Sequence, residues 1–248
     1  DFSVEAVVLY KKRKNWRLVS FARYRLSPGI VENGEILQPD KFKEELKKMW
    51  SLAKPRAMRA SSVFLSLPDT RTFSRLLSLP KTLRRKDLIA IAHNKAEEFI
   101  PEDKANLTPA LKILPTNSGQ IEVFYTAAQK GLLKEWVQIF EEMGLDIIGV
   151  TLESVSSHAA LHANLKKEDT LLLDIGARTT TASIFDAKGI RDSINIGIAG
   201  NSITDALAKK LNISHTAAEE KKRQVGMDSS VDQGEVMLVI QGQLQPVA

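Results

Sequence analysis

Residues rich in β-branched and aromatic side chains fill positions 4–10 and 16–26, which predicts two β-strands joined by the basic turn Lys11-Lys12-Arg13-Lys14. Pro28-Gly29 and Asn33-Gly34 then punctuate a short extended stretch. Phe42, Leu46, Met49 and Trp50 recur at helical spacing, which predicts a helix capped by Asp40. The apolar run at 62–67 reads as a short buried strand stopped by Pro68.

A second block begins near Thr70. Residues 72–79 predict a strand, and a helix through Leu88, Ala92, Lys95 and Phe99 runs until Pro101. Positions 107–114 and 121–128 predict a hairpin around Asn117-Ser118-Gly119. Leu132, Trp136, Ile139, Phe140 and Met143 stack on one helix face, which Gly144 ends as a left-handed cap. Strand, helix, hairpin and helix together are compact enough for a subdomain of their own. Three strands are expected at 170–175, 179–185 and 190–196, the first apolar and buried, after a strand at 146–152 and a helix at 154–165. Helices at 202–211 and 215–226 follow, then a polar connector at 228–233. The stretch 236–244 fits helix or strand.

Apolar residues make up 43% and charged residues 26% of the 248 positions, an ordinary soluble balance. No apolar run approaches the roughly 20 residues a bilayer crossing needs, and no signal peptide is visible at the N-terminus. Cysteine is absent, which excludes disulfides, thiolate nucleophiles and thiolate metal sites. The net charge of +5 favours an anionic partner: nucleotide, nucleic acid or an acidic membrane face. For the 11–14 run the plainest reading is a solvated hairpin tip, followed by contact with anionic lipid headgroups. Nucleic acid ranks last, because the aromatic residues are not interleaved with the basic ones.

Candidate chemistry concentrates in Leu171-Leu172-Leu173-Asp174-Ile175-Gly176-Ala177-Arg178-Thr179-Thr180-Thr181. An apolar strand delivers an Asp and a Gly into a turn rich in short polar side chains. Gly176 lets backbone approach a ligand, turn amides cradle phosphate oxygens, and Thr179 and Thr180 add hydroxyl donors. Asp174 suits Mg²⁺ through water, since Mg²⁺ binds few carboxylates and completes its shell with waters and phosphate oxygens. The plainer alternative is a hairpin whose Asp caps its own turn. Gly200 opens a later helix, and helix N-termini favour anions. Glu219, Lys222 and Arg223 share a helix face at i, i+3 and i+4, suited to a ribose and base or simply to solvent. His158 and His162 stand at a chelating i, i+4 spacing with no third ligand evident. His93 and His215 are isolated, and no Ser–His–Asp arrangement follows from spacing.

Asp174-Ile175-Gly176 with Thr179-Thr180-Thr181, then Gly200, then Glu219 with Lys222 and Arg223, resembles the second phosphate motif and nucleotide helix of the actin, sugar-kinase and heat-shock-chaperone superfamily. Within it the chain is most similar to the PilM family of type IV pilus assembly. The segments Val31-Glu32-Asn33-Gly34-Glu35-Ile36, Leu65-Ser66-Leu67-Pro68, Ala96-Glu97-Glu98-Phe99-Ile100-Pro101 and Leu145-Asp146-Ile147-Ile148-Gly149-Val150 carry that similarity. The resemblance implies an α/β, actin-like (ribonuclease H-like) ATPase fold with an inserted α+β subdomain, truncated at both ends. Residues 1–69 with 146–167 would form the first subdomain, 70–145 the insertion, and 168–248 an incomplete second subdomain.

The resemblance also implies ATP with Mg²⁺ in a cleft and at most weak ATPase activity. Ser3, Asp174, Gly176, Arg178, Thr179, Thr180, Gly200, Glu219, Lys222 and Arg223 are then the nucleotide residues. Glu153 is the catalytic candidate, beside its plainer role as a charge at a helix N-terminus. The first phosphate loop overlaps residues 1–5, so its leading Asp and Gly are expected before Asp1, and Glu5 stands where many relatives carry Lys. The late adenine-binding glycine motif is expected beyond Ala248. The implied partner is the N-terminal cytoplasmic tail of a PilN-type inner-membrane protein. The implied place is the cytoplasm, peripheral to the inner membrane, with self-association left open and no nucleic acid. An FtsA-type cell-division tether and a small-molecule kinase of the same superfamily are the alternatives, the latter lacking a visible general base.

Overall fold

The computed structural model describes residues 2–13, 15–116, 119–161 and 169–247. The chain divides into two compact units, Asp1–Ser156 and Ser157–Ala248.

In the first unit, β1 (Ser3–Lys12) and β2 (Asn15–Arg25) pair antiparallel, with a bulge at the Val8/Leu9 step. Lys14 of the basic turn lies outside the described residues. β3 (Val31–Glu32) and β4 (Glu35–Ile36) close a two-residue hairpin in which Asn33 and Gly34 have φ of 51° and 77°. Two positive φ values in succession are why this turn is written Asn-Gly. α1 (Pro39–Ser51) starts at Pro39, whose fixed φ suits a first helical position, and Gln38 occupies the cap position. Asp40 is therefore not the cap. It sits in the first turn, pairs with Lys43 at 2.9 Å and complements the helix dipole.

β5 (Ser62–Leu67) leads into β6 (Thr72–Pro80), α2 (Leu88–Lys95), β7 (Leu107–Leu114), β8 (Gln120–Gln129) and α3 (Lys130–Glu142). The helix expected to reach Phe99 ends earlier, and Ala96–Glu98 tighten into a 3₁₀ turn ahead of Pro101. A proline disfavours α conformation in the residue before it, so the chain leaves the helix in advance. β6, β8 and β7 form an antiparallel sheet in that order, and the Asn117-Ser118 part of its hairpin lies outside the described residues. Leu79, Leu88, Ala92, Val123 and Tyr125 fill its core. The Tyr125 hydroxyl lies 2.6 Å from His93 Nδ1, and burial pushes its pKa up to about 12.

β9 (Asp146–Leu152) pairs in parallel with β5. A second core gathers Phe42, Leu46, Met49 and Leu65 with Ile139 and Phe140 of α3. The Trp136 ring meets Phe42 edge-on at 5.5 Å, while its Nε1–H donates to the Gly34 carbonyl at 2.9 Å. Both contacts draw α3 to this second core rather than to the sheet that precedes it. Gly144, at φ 78°, ends α3 as expected. α4 (Glu153–Leu161) follows, and its expected extension to 165, with His162, lies outside the described residues.

In the second unit, β10 (Thr170–Ile175), β11 (Thr180–Asp186) and β12 (Gly189–Ile196) form an antiparallel meander. β10 is not the buried strand the Leu-Leu-Leu run predicts: Leu171, Leu173 and Ile175 are 61%, 45% and 51% exposed. Strand geometry turns alternate residues to one face, and that face, shared with Ile184 and Ile194, is open. The opposite face carries the packing, with Phe185 and Ser183 buried. His158 stacks on the Phe185 ring with centroids 3.9 Å apart. α5 (Gly200–Leu211), α6 (His215–Val225) and α7 (Glu235–Leu244) form a small bundle around Leu207, Ala218, Val236 and Ile240, which settles 236–244 as helix.

Candidate functional site

The turn between β10 and β11 is built by backbone. Gly176 N–H donates to the Thr179 carbonyl at 3.0 Å and closes the turn. A Cβ on Gly176 would lie 2.9 Å from that same carbonyl oxygen, so this position accepts no larger residue without displacement. The first amides of α5 are then spent on the turn: Gly200 N–H donates to the Gly176 carbonyl at 3.0 Å and Asn201 N–H to that of Ala177 at 2.7 Å. The expectation that the Gly200 helix entry itself offers free amides to an anion is thereby corrected. Its leading N–H groups are satisfied by carbonyls, as helix ends require. Gly200 is needed for close approach, because a Cβ there would stand 3.2 Å from the Gly176 oxygen.

The side chains of the turn divide into committed and open groups. Thr180 is buried, and its hydroxyl donates to the Ile198 carbonyl at 2.6 Å, so it is a strut rather than a ligand donor. Thr181 donates to Asn195 Oδ1 at 2.9 Å. Among the described residues the amides of Ala177 and Thr179 have no backbone acceptor, and Thr179 is half-buried. Arg178 is exposed at the rim. The Asp174 carboxylate is exposed and makes no hydrogen bond or ion pair within the described chain, so the alternative that it caps its own turn does not hold. Open amides, a free hydroxyl and an uncommitted carboxylate make a small polar rim suited to phosphate oxygens and a hydrated cation.

α6 braces this rim from behind. The Lys222 ammonium donates to the Gly200 carbonyl at 2.9 Å and the Thr204 hydroxyl at 2.8 Å, and pairs with Glu219 at 2.5 Å. Glu219 also accepts from the Thr204 hydroxyl at 2.6 Å and from Arg223 Nε at 2.7 Å. Burial by itself would raise the Glu219 pKa, but the hydrogen bonds from Lys222, Thr204 and Arg223 hold it down at about 2. Glu219 and Lys222 are thus neither a solvated face nor open ligands. They fasten α6 to the first turn of α5, and Arg223, 74% exposed in its side chain, keeps its outer edge open.

The remaining predicted residues lie in the first unit. Ser3 donates its hydroxyl to Glu5 at 2.7 Å, and Glu5 is paired with Arg23 at 2.9 Å. Glu153 is the exposed first residue of α4. Directly after it, Ser154 gives its amide and hydroxyl to the Asp69 carboxylate at 3.0 and 2.6 Å. Asp69, 6% exposed in the turn after β5, escaped sequence reasoning. Its only signal was an acid placed at the end of an apolar strand. Among the described residues no group of His, Asp or Glu side chains forms a metal cage. A cation at Asp174 would take most of its shell from water and ligand.

A family model described as type IV pilus assembly protein PilM matches residues 1–237. A chain of a PilM-PilN type IV pilus biogenesis complex superposes with a TM-score of 0.82 at 21% identity, over 99% of this chain and 71% of that one. The ethanolamine utilization protein EutJ from Carboxydothermus hydrogenoformans gives 0.53 at 14% identity, over 99% of this chain and 65% of that one. Cell division protein FtsA of Staphylococcus epidermidis is 25% identical over 138 residues, 54% of this chain and 30% of that protein. FtsA of Bacillus subtilis is 26% identical over 131 residues, 52% of this chain and 30% of that protein. The chain therefore spans under a third of the length of these curated relatives. The structural likenesses show an α/β fold of the actin-like ATPase kind.

Proposed function

Because the chain belongs to the PilM family of type IV pilus assembly proteins, we propose that it is a nucleotide-responsive adaptor of the pilus assembly platform at the cytoplasmic side of the inner membrane. The observation that carries this reading is the family match across residues 1–237. The FtsA similarity, confined to about half of the chain, ranks the cell-division tether second.

ATP with Mg²⁺ is the proposed ligand. The open Ala177 and Thr179 amides and the Thr179 hydroxyl would take phosphate oxygens, with Arg178 at the rim and Asp174 holding Mg²⁺ through water. Lys222 and Glu219 act by keeping Gly200 and the turn in place, and Arg223 offers the exposed edge of α6. Hydrolysis is at most slow, and Glu153 is the candidate to orient water. For the first actin-like subdomain we retain 1–69 with 146–167, for the insertion 70–145, and for the second subdomain 168–248. The separate cores around Tyr125 and Phe42 support two bodies within the first unit.

The proposed partner is the N-terminal cytoplasmic tail of a PilN-type protein, a reading supported by the related chain's occurrence in a PilM-PilN complex. Nucleotide would act by favouring one conformation over another, and so change partner affinity. Titration of the synthetic tail peptide into the chain, with and without Mg-ATP, tests this. Saturable binding that Mg-ATP alters is expected. Absence of binding in both conditions would remove the pilus-adaptor reading in favour of the tether.

A further inference from the structure

The net charge of the chain is concentrated in one hairpin. Between Glu5 and Glu32 the sequence holds seven Lys/Arg and no carboxylate, and four of the seven are consecutive, Lys11-Lys12-Arg13-Lys14. Without those seven, 28 Lys/Arg would face 30 Asp/Glu, and the net charge would change from +5 to −2. A solvated surface needs no such segregation, since mixed charge keeps a protein soluble.

The geometry sets Lys11, Lys12, Arg13 and Arg17 at the exposed end of the hairpin. Every residue of β1 from Leu9 to Lys12 and of β2 from Asn15 to Leu18 is exposed, on both faces of the ribbon. Nearer its base, β2 buries Ser20 and half-buries Ala22 and Tyr24. The register sets Leu9 opposite Leu18, Tyr10 opposite Arg17 and Lys11 opposite Trp16. Tyr10 and Trp16 are 60% and 62% exposed. The Lys11 ammonium lies over the Trp16 ring at 5.6 Å, and among the described residues Lys11, Lys12, Arg13 and Arg17 form no ion pair. Exposed Leu, Trp and Tyr within a few residues of unpaired cations match what a bilayer interface takes up. Tyr and Trp settle at headgroup level, Lys and Arg keep their charge among phosphates while their stems lie on apolar surface, and each cation near an anionic leaflet adds attraction.

We propose that the described tip of the β1–β2 hairpin, Leu9 to Arg13 with Asn15 to Leu18, is a membrane-contact element that rests on an anionic phospholipid surface. It lies on the headgroups and does not cross the bilayer, since the ribbon is short and its turn is charged. Nucleic acid is the lesser match, because Lys11 already covers the Trp16 ring that stacking would need. The inference depends on neither the nucleotide rim nor a PilN-type partner, so it can fail or stand independently of both.

The test is co-sedimentation of the 248-residue chain with vesicles of phosphatidylcholine containing phosphatidylglycerol, against pure phosphatidylcholine vesicles. Binding to the anionic vesicles alone is expected, weakening as salt is raised. K11S/K12S/R13S should bind about a hundredfold more weakly, with an unchanged melting temperature because these side chains are exposed. Trp fluorescence should be quenched by brominated lipid in the wild type and much less in W16F, a readout that does not depend on the triple variant. Equal partition onto neutral vesicles, undiminished binding by K11S/K12S/R13S, or full quenching in W16F would each overturn the proposal. Displacement from the anionic vesicles by an equal concentration of single-stranded oligonucleotide would overturn it in favour of nucleic acid.

Discussion

Asp69 and Asp174 stand at comparable places and do opposite things. Each lies where a short apolar strand ends, β5 for Asp69 and β10 for Asp174. Asp69 is 6% exposed and spends its carboxylate on the Ser154 amide and hydroxyl. Asp174 is exposed and spends its carboxylate on nothing in the described chain. A buried carboxylate must be fully hydrogen-bonded to be tolerated, so Asp69 is committed to structure. An exposed one keeps its hydration and remains available to a cation. The same residue type is thus a fastener in one unit and an exposed, uncommitted carboxylate in the other.

The largest expected effect comes from removing the fastener. Asp69→Ala should destabilise the first unit by about 2–3 kcal/mol, because the buried Ser154 amide and hydroxyl lose their acceptor. Urea unfolding of wild type and variant measures this, and a loss near zero would erase the contrast with Asp174. Gly176→Ala should cost about 1–3 kcal/mol in the second unit, because its Cβ would lie 2.9 Å from the Thr179 carbonyl oxygen and the turn must open. Thermal melting of that variant reads the effect.

Glu219→Gln should cost less, about 1–2 kcal/mol after allowance for partial exposure, and the loss should depend on pH. The folded pKa is depressed to about 2 from an ordinary value of 4.5. The unfolded chain therefore binds this proton first, and the stabilisation is full above about pH 4.5 and fades as pH falls toward about 2. Wild type and E219Q should converge in stability across that window. A difference that grows toward acid would contradict the assignment. Asp174→Asn should change stability least, within about 0.5 kcal/mol, as expected for an exposed side chain without partners.

Much of the fold was legible because it is local. The Asn33-Gly34 hairpin and the Gly144 stop each rest on a backbone conformation that one or two residues dictate. Phe42, Leu46 and Met49 announced the buried face of α1 through their spacing. Non-local commitments were not legible. Asp69 and Ser154 are 85 residues apart, and nothing in either neighbourhood names the other. Lys222 and Glu219 were expected to face a ligand, yet Thr204 and the Gly200 carbonyl meet them first. Three successive leucines suggested a buried β10, but a run of one residue type hides the alternation that decides which face is covered. At the candidate site, the motif pointed to a tight glycine turn, which Gly176 closes, while the diversion of Thr180 and of the α5 amides into struts required coordinates.

The most direct test of the account is a titration of ATP into the wild-type chain and into D174N, with Mg²⁺ and with EDTA, followed calorimetrically. The account predicts saturable binding to the wild type that strengthens at least tenfold with Mg²⁺, and a D174N variant of unchanged stability whose Mg²⁺ dependence is lost. Wild-type binding indifferent to Mg²⁺, or a D174N titration that matches wild type in both conditions, would contradict the placement of the nucleotide at the Asp174–Thr179 rim.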